Sequence, residues 1–336
     1  MAKYPTMKDV AKKANTTAST VSYVLSNKEG RYISEEMRER VLKVAKELNY
    51  VKFNGASSLK GKERKLIGIM VPQFANQFFT KLILEAEKVF VTHNFDMIIC
   101  NTFDDPEREK EIVYRLLSQR VDGIIISPTI KGSENTEILR ELGVKLVVVD
   151  RPLEGLSDYH FLTSDNIQAG RMGMRRLLDT GHKQIAYIGW DSGISSLEDR
   201  MNGALMEHPD TLVYNGPISD EDGYNLTQEV LEDHPDVDAI FYGFNIQAAG
   251  GMRYLKEHHI AFPDDISISI IGSPEWVKIG NNDIEHIDLN SRELGKEAAN
   301  LMMEIIGKKV VKTVRKISSC ILIEGASVKN TIGGRR

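Results

Sequence analysis

The sequence predicts a small all-α head followed by two α/β lobes, and three observations support that fold class. Residues 6–50 contain three short amphipathic helix patterns. From Leu66 onward, continuous apolar runs of strand length alternate with amphipathic helices, as in parallel sheets covered on both faces. The charge changes at the same boundary: residues 1–65 carry 15 Lys or Arg and 7 Asp or Glu, a net +8, whereas the remainder carries −13. A chain of 336 residues is also too long for a single core.

Composition limits the class of protein. The chain is 41% hydrophobic and 27% charged, as in ordinary globular proteins. It has no apolar run near the ~20 residues of a membrane span and no apolar signal peptide, so a cytoplasmic protein is expected. Cys100 and Cys320 lie in apolar runs, which predicts buried thiols in place of a disulfide or metal pair. A basic head on an acidic body is typical of a phosphate-binding module, although a solvated basic surface is the simpler alternative.

The first two helix patterns form a tight pair within residues 6–25. Thr6 can cap the first helix, and Asp9 completes a capping box. Asn15 suits a left-handed helix exit, and Thr17 can cap the second helix. The outer face of that second helix carries small or hydrogen-bonding side chains: Thr17, Ala18, Ser19, Ser22 and Tyr23. Such a helix can enter a DNA major groove, although a helical hairpin capped by chance would give the same pattern.

A third helix is expected after Ser34, a good N-cap, and completes a small core. Residues 51–65 then form a basic, glycine-containing linker that is only marginally helical. Leu59 within it either packs on the body or acts as a wedge between base pairs in the minor groove. These patterns divide the chain into a helix-turn-helix domain (1–50), a hinge helix or linker (51–65) and a two-lobed body (66–336).

Two tandem sets of strand and helix fill most of the body. In the first set, strands are expected at 66–71, 97–100, 123–127 and 146–149, and helices at 77–91, 106–119 and 136–142. In the second set, strands are expected at 185–189, 212–214, 239–244 and 267–271, and helices at 167–180, 196–206, 221–232 and 246–258. Ligands bind at the carboxyl ends of parallel strands, so a cleft is expected where the lobes face each other.

The last part of the body, from Ile284 to Ile323, is predicted to form a strand, a helix at 291–306 and a strand that cross back to the first lobe. Lobe 1 is therefore assigned to about 66–162 and 290–320, and lobe 2 to about 163–289 and 321–336. No leucine heptad follows, so a dimer is expected and not a tetramer.

Short motifs occur in a fixed order along the whole chain. They are T-M-K-D-V-A from Thr6, S-T-V-S-Y-V-L from Ser19, A-K-E-L-N-Y from Ala45, A-S-S-L from Ala56, V-D-G-I-I-I-S from Val121, V-V-D-R from Val148, S-D-N from Ser164 and G-H-K-Q-I-A-Y-I-G from Gly181. In these motifs and their spacing the sequence resembles the LacI/GalR family of bacterial transcription regulators. The resemblance implies a periplasmic-binding-protein-like body and a homodimer on double-stranded operator DNA. A small-molecule effector would set the position of the lobes and thereby the folding of the hinge helices on DNA.

The resemblance also implies which residues meet DNA. Phosphate contacts are implied for Thr6, Thr17, Thr20 and Ser26. Base contacts are implied for Ala18, Ser19 and Tyr23, with Ser22 on the same face and Tyr32 near the backbone; Ala56 and Leu59 match the minor-groove pair. Tyr23 stands where arginine is commoner and cannot make a bidentate guanine contact, which predicts a variant operator. Lys52 and Phe53 replace the usual Pro-Asn at the start of the hinge.

In the cleft, the residues that the resemblance or their position marks for effector contact are Phe78, Phe79, Ser127, Asp150, Arg200, Asn245, Gln247, Glu275 and Trp276. Converging Arg, Asp and Asn side chains suit polyhydroxylated ligands, because each can pair with neighbouring hydroxyls. The simpler alternatives are a surface ion pair for Asp150 or Arg200 and a core role for the phenylalanines. Pro274 replaces an acid that is usual in the family, and Glu275 or Trp276 is expected to compensate.

Together these features predict a sequence-specific DNA-binding regulator, a repressor of a carbohydrate-utilisation operon controlled by a sugar or sugar derivative. A nucleoside or purine effector and a protein corepressor remain open, and a cytoplasmic solute-binding protein is a distant alternative. An enzyme is disfavoured because the sequence has no G-x-G-x-x-G after the first strand, no P-loop and no G-x-S-x-G. The histidines lack metal spacing, and neither a metal nor a cofactor is expected.

Overall fold

The computed structural model describes residues 5–25, 32–48, 50, 64–190, 193, 195–278, 283–309 and 312–332. The chain divides into two units, Met1–Arg64 and Lys65–Arg336. Residues 51–63 of the predicted hinge, and Ser26, Ala56 and Leu59 among the predicted DNA contacts, lie outside those ranges.

The first unit contains helices α1 (Met7–Lys13), α2 (Ala18–Leu25) and α3 (Glu35–Glu47). The predicted capping box is confirmed: Thr6 Oγ1 accepts from Asp9 N at 3.3 Å, and Thr6 N donates to the Asp9 carboxylate at 2.7 Å. Asn15 has the expected left-handed conformation, with φ of +52°. Small apolar side chains let the helices approach closely around one buried core: Val10, Ala11, Ala14, Val21, Val24, Val41, Val44 and Ala45.

The second unit begins with the first set of strands and helices. These are β1 (Leu66–Val71), α4 (Gln77–Thr92), β2 (Asp96–Asn101), α5 (Pro106–Gln119), β3 (Gly123–Ile126), α6 (Gly132–Asn135), α7 (Glu137–Glu141), β4 (Lys145–Val149) and β5 (His160–Ser164). Strand β5 was not predicted, because its short apolar run ends in polar residues and has no helix directly before it. Ser164 is the last residue of that strand and Asn166 begins the next helix, so the chain passes between the lobes there.

The second set follows the same alternation. It comprises α8 (Asn166–Asp179), β6 (Ile185–Gly189), α9 (Ser195–Glu207), β7 (Leu212–Asn215), α10 (Asp220–Asp233), β8 (Ala239–Tyr242), α11 (Asn245–Glu257), β9 (Ser267–Ile271), a 3-10 turn (Glu275–Lys278) and β10 (Glu285–Asp288). The closing segment consists of α12 (Ser291–Ile306), β11 (Arg315–Ser318) and β12 (Ile321–Ile323). The α/β order confirms the predicted fold class.

Each lobe is built on one six-stranded sheet. The lobe 1 sheet has the order β11-β5-β4-β3-β1-β2 with parallel neighbours, and the lobe 2 sheet has the order β12-β10-β9-β8-β6-β7. In lobe 2, β12 runs antiparallel to β10. Helix α12 and β11 return to lobe 1, and the chain then re-enters lobe 2 at β12. Apolar clusters cover both faces of each sheet, which explains why the strands are continuously hydrophobic. Among the described helices, none has the length and apolarity needed to cross a bilayer.

Candidate functional site

A cavity of about 290 Å³ lies between the two lobes. Its lining follows the carboxyl ends of strands from both sheets, where ligands of open α/β sheets bind. The lining residues are Pro72, Gln73, Asn76, Gln77, Phe78, Phe79, Lys81, Phe103, Asp104, Asp150, Arg151, Trp190, Leu197, Arg200, Pro217, Ile218, Phe244, Asn245, Ile271, Gly272, Ser273, Asp288, Leu289 and Ser291. Five of the nine predicted effector residues are among them: Phe78, Phe79, Asp150, Arg200 and Asn245.

The two phenylalanines come from the start of α4. Asn76 caps this helix, and its Oδ1 accepts from Phe78 N at 3.0 Å. The rings of Phe78 and Phe79 meet edge to face, with centroids 5.1 Å apart. Phe79 also belongs to the buried core of lobe 1, whereas Phe78 is only partly buried. The pair therefore gives the cavity an apolar wall that is anchored in the core.

Asp150 occupies a strained turn at the end of β4. Its φ is +66°, and the N–H of Arg151 donates to Val149 O at 2.7 Å, which closes a three-residue γ-turn. Strain of this kind clusters at functional sites. Asp150 is 5% exposed, and its carboxylate accepts from Ser127 Oγ at 3.3 Å. Burial raises the pKa of Asp150, while the charges of Arg151 and Arg200 act in the opposite direction.

Arg200 faces Asp150 from the other lobe. Its guanidinium is buried, with Nε donating to Asn166 Oδ1 and Nη1 donating to Gly243 O, each at 2.9 Å. The same group lies 4.8 Å from the centre of the Phe244 ring. Burial lowers the pKa of Arg200, and the nearby Asp150 carboxylate opposes that change. These protein contacts fix the orientation of the guanidinium.

A close helix crossing positions Arg200. Helices α8 and α9 meet backbone to backbone at Gly170 and Gly203. A Cβ on Gly170 would lie 1.9 Å from the Arg200 carbonyl oxygen, and one on Gly203 would lie 2.1 Å from Ile167 O. Because the clashing atoms are backbone, a larger residue at either position must move α9 and with it Arg200.

Arg151 lines the cavity and was not predicted to do so. Its Nη1 donates to Asp104 Oδ1 at 2.6 Å and to Pro128 O at 3.4 Å. Its buried Nε has no hydrogen-bond partner among the described residues and lies 3.9 Å from Asp150 Oδ2. The side chain thus adds a second buried cation beside Asp150.

The other four predicted effector residues do not line this cavity. Ser127 is buried behind Asp150. Gln247 is fully buried, and its Nε2 donates to the carbonyls of Gly189, Gly216 and Pro217 at 2.9–3.1 Å, which ties two wall loops together. Glu275 is exposed, and Trp276 packs against the lobe 2 core. Their contact with an effector stays a prediction.

Several lining residues could have been found from the strand ends alone. Trp190 directly follows β6, and Gln73 follows β1 after one proline. Asp288 is the last residue of β10. These positions follow the rule that ligand-contacting residues gather at the carboxyl ends of parallel strands. By contrast, Lys81 lies within α4, five residues after the end of the β1–α4 loop, and has no such local indication.

The predicted DNA contacts lie on α2 and around it. Val21 and Val24 are buried on the inner face of α2. On the outer face, Thr17 and Ser19 are exposed, and Ala18, Thr20, Ser22 and Tyr23 are half-buried. Thr17 Oγ1 accepts from Thr20 N at 3.2 Å and so caps the helix as predicted. Thr6 is exposed, Tyr32 is 95% exposed, and α2 itself carries no charged side chain.

Two family models match the chain. Residues 6–52 match the model for "bacterial regulatory proteins, lacI family". Residues 64–326 match the model for "periplasmic binding proteins and sugar binding domain of LacI family". The two matches together cover both units.

Known proteins that are similar to this chain include two repressors. A ribose operon repressor of Halalkalibacterium halodurans is 31% identical over 317 residues, covering 92% of this chain and 93% of the relative. The transcriptional repressor PurR of Mannheimia succiniciproducens is 27% identical over 318 residues, covering 91% and 93%. Among solved structures, a LacI-family regulator from Enterococcus faecium with bound ribose is 25% identical, with a TM-score of 0.71 over 79% of this chain and 99% of that chain.

Proposed function

The chain belongs to the LacI family of bacterial regulatory proteins, and on that premise we propose that it represses a carbohydrate-utilisation operon under control of a sugar or sugar derivative. The head binds operator DNA, and the effector occupies the cavity between the lobes. The observation that carries the effector assignment is the opposition of Asp150 and Arg200 across that cavity.

The chemistry of this wall suits a polyhydroxylated ligand. Asp150 can accept from two hydroxyls, and Arg200 and Asn245 can donate to others. Phe78 and Phe244 offer apolar surface to the faces of a sugar ring. Acidic and basic lining groups are balanced, with Lys81, Arg151 and Arg200 against Asp104, Asp150 and Asp288. A neutral sugar fits that balance, and the relative that controls a ribose operon makes D-ribose the first candidate.

A purine or nucleoside is the second candidate. Five aromatic residues line the cavity, and three of them, Phe78, Trp190 and Phe244, could stack on a planar base. Similarity to a PurR repressor supports this alternative. Asp150 and Asn245 would then pair with the polar edge of the base.

On the DNA side, we propose that the outer face of α2 enters the major groove. The contacts proposed are Thr17, Ala18, Ser19, Thr20, Ser22 and Tyr23, with Thr6, Ser26 and Tyr32 on the backbone and Ala56 and Leu59 in the minor groove. Absence of a carboxylate on α2 favours close approach to phosphates. Because the proposed partner is chromosomal DNA, the protein would act in the cytoplasm, and we assign it no catalytic role.

We propose that the working unit is a homodimer joined along one edge of lobe 1. Strand β2 pairs with β1 and is the outermost strand of its sheet, and Ile99 on it is 43% exposed. Leu84 and Val91 on α4 and Tyr114 on α5 are also exposed. A dimer would bury such apolar side chains and present two heads to a pseudo-palindromic operator.

The function can be tested with the purified chain and sheared DNA from its own genome. DNA retained by the protein is sequenced, and an enriched pseudo-palindrome is expected. The affinity for that site is then measured with D-ribose, other pentoses and hexoses, hypoxanthine and guanine. Allosteric coupling predicts a 5- to 150-fold change with the true effector. If the protein enriched no duplex over random competitor DNA, the proposed function as a DNA-binding regulator would be refuted.

A further inference from the structure

A second set of contacts joins the two lobes beside the cavity. Lys81 of α4, in lobe 1, donates from Nζ to the carbonyl oxygen of Ser273, which follows β9 in lobe 2. The same ammonium lies 3.5 Å from Glu275 Oε1. One turn earlier on α4, Gln77 Oε1 accepts from the backbone N–H of Glu275 at 2.8 Å. Two side chains of one lobe thus hold one short loop of the other.

Each side of this contact is fixed to its own lobe. Helix α4 is capped by Asn76 and contributes Phe79 to the lobe 1 core. On the other side, Pro274 is buried and Trp276 packs on the lobe 2 core, while Ser273 Oγ lies 3.3 Å from His286 Nε2 on β10. Relative motion of the lobes must therefore separate the two sides, because neither can follow the other.

An aromatic residue and a further charge reinforce the contact. Phe78 packs against apolar clusters of both lobes. Arg292, at the start of α12 in lobe 1, has Nη2 3.9 Å from Glu275 Oε1 and Nη1 3.2 Å from Glu85. The Lys81 side chain is 14% exposed in this arrangement, so separation of the lobes would replace its contacts with Ser273 and Glu275 by contacts with water.

We propose that Gln77, Phe78 and Lys81, together with Ser273 and Glu275, form an interlobe clasp that holds the lobes together before any effector binds. By stabilising one arrangement of the lobes, the clasp sets the population on which an effector acts. Gln77, Phe78, Lys81 and Ser273 also line the cavity, so an occupant of that end touches the clasp directly. That regulatory consequence rests on the function proposed above; the clasp itself does not.

The test compares Lys81→Met with Lys88→Met in the full-length chain, without effector or DNA. Lys88 is a matched control, since it lies on the same helix and pairs at 2.8 Å with Glu85 of its own lobe. Hydrogen–deuterium exchange is followed at the Glu275 amide, and the radius of gyration is measured by small-angle X-ray scattering. Lys81→Met should speed exchange at that amide about tenfold and increase the radius, while Lys88→Met should change neither.

Unchanged exchange in Lys81→Met would overturn the clasp. Faster exchange with an unchanged radius would also overturn it, because the loop alone would then have loosened. If Lys81→Met does not fold, Gln77→Ala removes the other bond to the loop and is scored by the same two measurements. Since no ligand or DNA is present, these outcomes are independent of whether the chain proves to be a regulator.

Discussion

Two pairs of charged side chains face each other from different lobes, one within the cavity and one at its edge, and their surroundings differ. Asp150 and Arg200, the buried pair, are 5% and 7% exposed and face each other from different lobes. Lys81 and Glu275 also connect the lobes, but the Glu275 side chain is 72% exposed. Solvent and salt screen the second pair and hardly reach the first. This difference supports the proposal that the buried pair contacts the effector, and it predicts that the exposed pair contributes only a small free energy to holding the lobes together.

The largest expected effect comes from removing Arg200. In Arg200→Ala, Asn166 Oδ1 and Gly243 O lose their donor and Asp150 loses a facing cation. Loss of a charged hydrogen bond predicts roughly 10- to 150-fold weaker effector binding, from about 1.5–3 kcal/mol. Titration calorimetry with the active sugar measures this. Arg171→Ala is the control, because Arg171 is half-exposed and pairs with Glu207 on the lobe surface. If the two variants bound the effector with equal affinity, Arg200 would not belong to the effector site.

A smaller effect is expected when the close crossing of α8 and α9, which positions Arg200, is disturbed. Gly170→Ala places a Cβ against the Arg200 carbonyl, so α9 must shift. Overpacking predicts a free energy of unfolding lower by about 1–3 kcal/mol, together with weaker effector binding. Urea denaturation measures the first quantity. Gly307→Ala serves as the control, since its Cβ would come no closer than 3.3 Å to Met303 O. Wild-type stability in Gly170→Ala would show that the crossing is not tight.

The buried pair should also respond to pH. Burial raises the pKa of Asp150 above its ordinary value, so the folded state binds that proton more readily than the unfolded state. The contribution of Asp150 to the free energy of unfolding is therefore least favourable above the raised pKa and improves as the pH falls through it. Effector affinity should instead weaken as the pH falls, because the ionised carboxylate is the better hydrogen-bond acceptor. Asp150→Asn should abolish both dependences, measured as the difference from wild type in denaturation and binding across a pH series. A difference that does not vary with pH would contradict this assignment.

The smallest effect is expected from the exposed member of the clasp. Glu275→Gln removes the ion pair with Lys81 but retains the backbone bond to Gln77. Because an exposed ion pair contributes little, the free energy of unfolding should fall by only about 0.2–1 kcal/mol. Added salt should make this loss smaller still. Thermal unfolding at low and high salt tests this. If Glu275→Gln lowered the free energy of unfolding by several kcal/mol, or if added salt left the loss unchanged, the contrast between the two pairs would be wrong.

Much of the fold could be predicted because its determinants are local. The Thr6–Asp9 capping box, the left-handed Asn15 and the helices at 106–119 and 291–306 follow from residue type and spacing within a few positions. Continuous apolar strands between amphipathic helices likewise indicated parallel sheets. Strand β5 escaped prediction because its pairing with β4 and β11, and not its own pattern, makes it a strand.

The sequence by itself determined the all-α head, the two α/β lobes and the family, since each rests on short-range patterns and ordered motifs. Only the tertiary structure decided which candidates reach the cavity. Asn245 lines it, whereas Gln247, two residues further along α11, is fully buried and holds wall carbonyls. Lys81 lies on the same helix as the predicted Phe78, yet its partners are about 190 residues away. The physical reason is that a cavity wall and an interlobe contact depend on how distant elements pack, and that packing is not encoded in any single stretch of the chain.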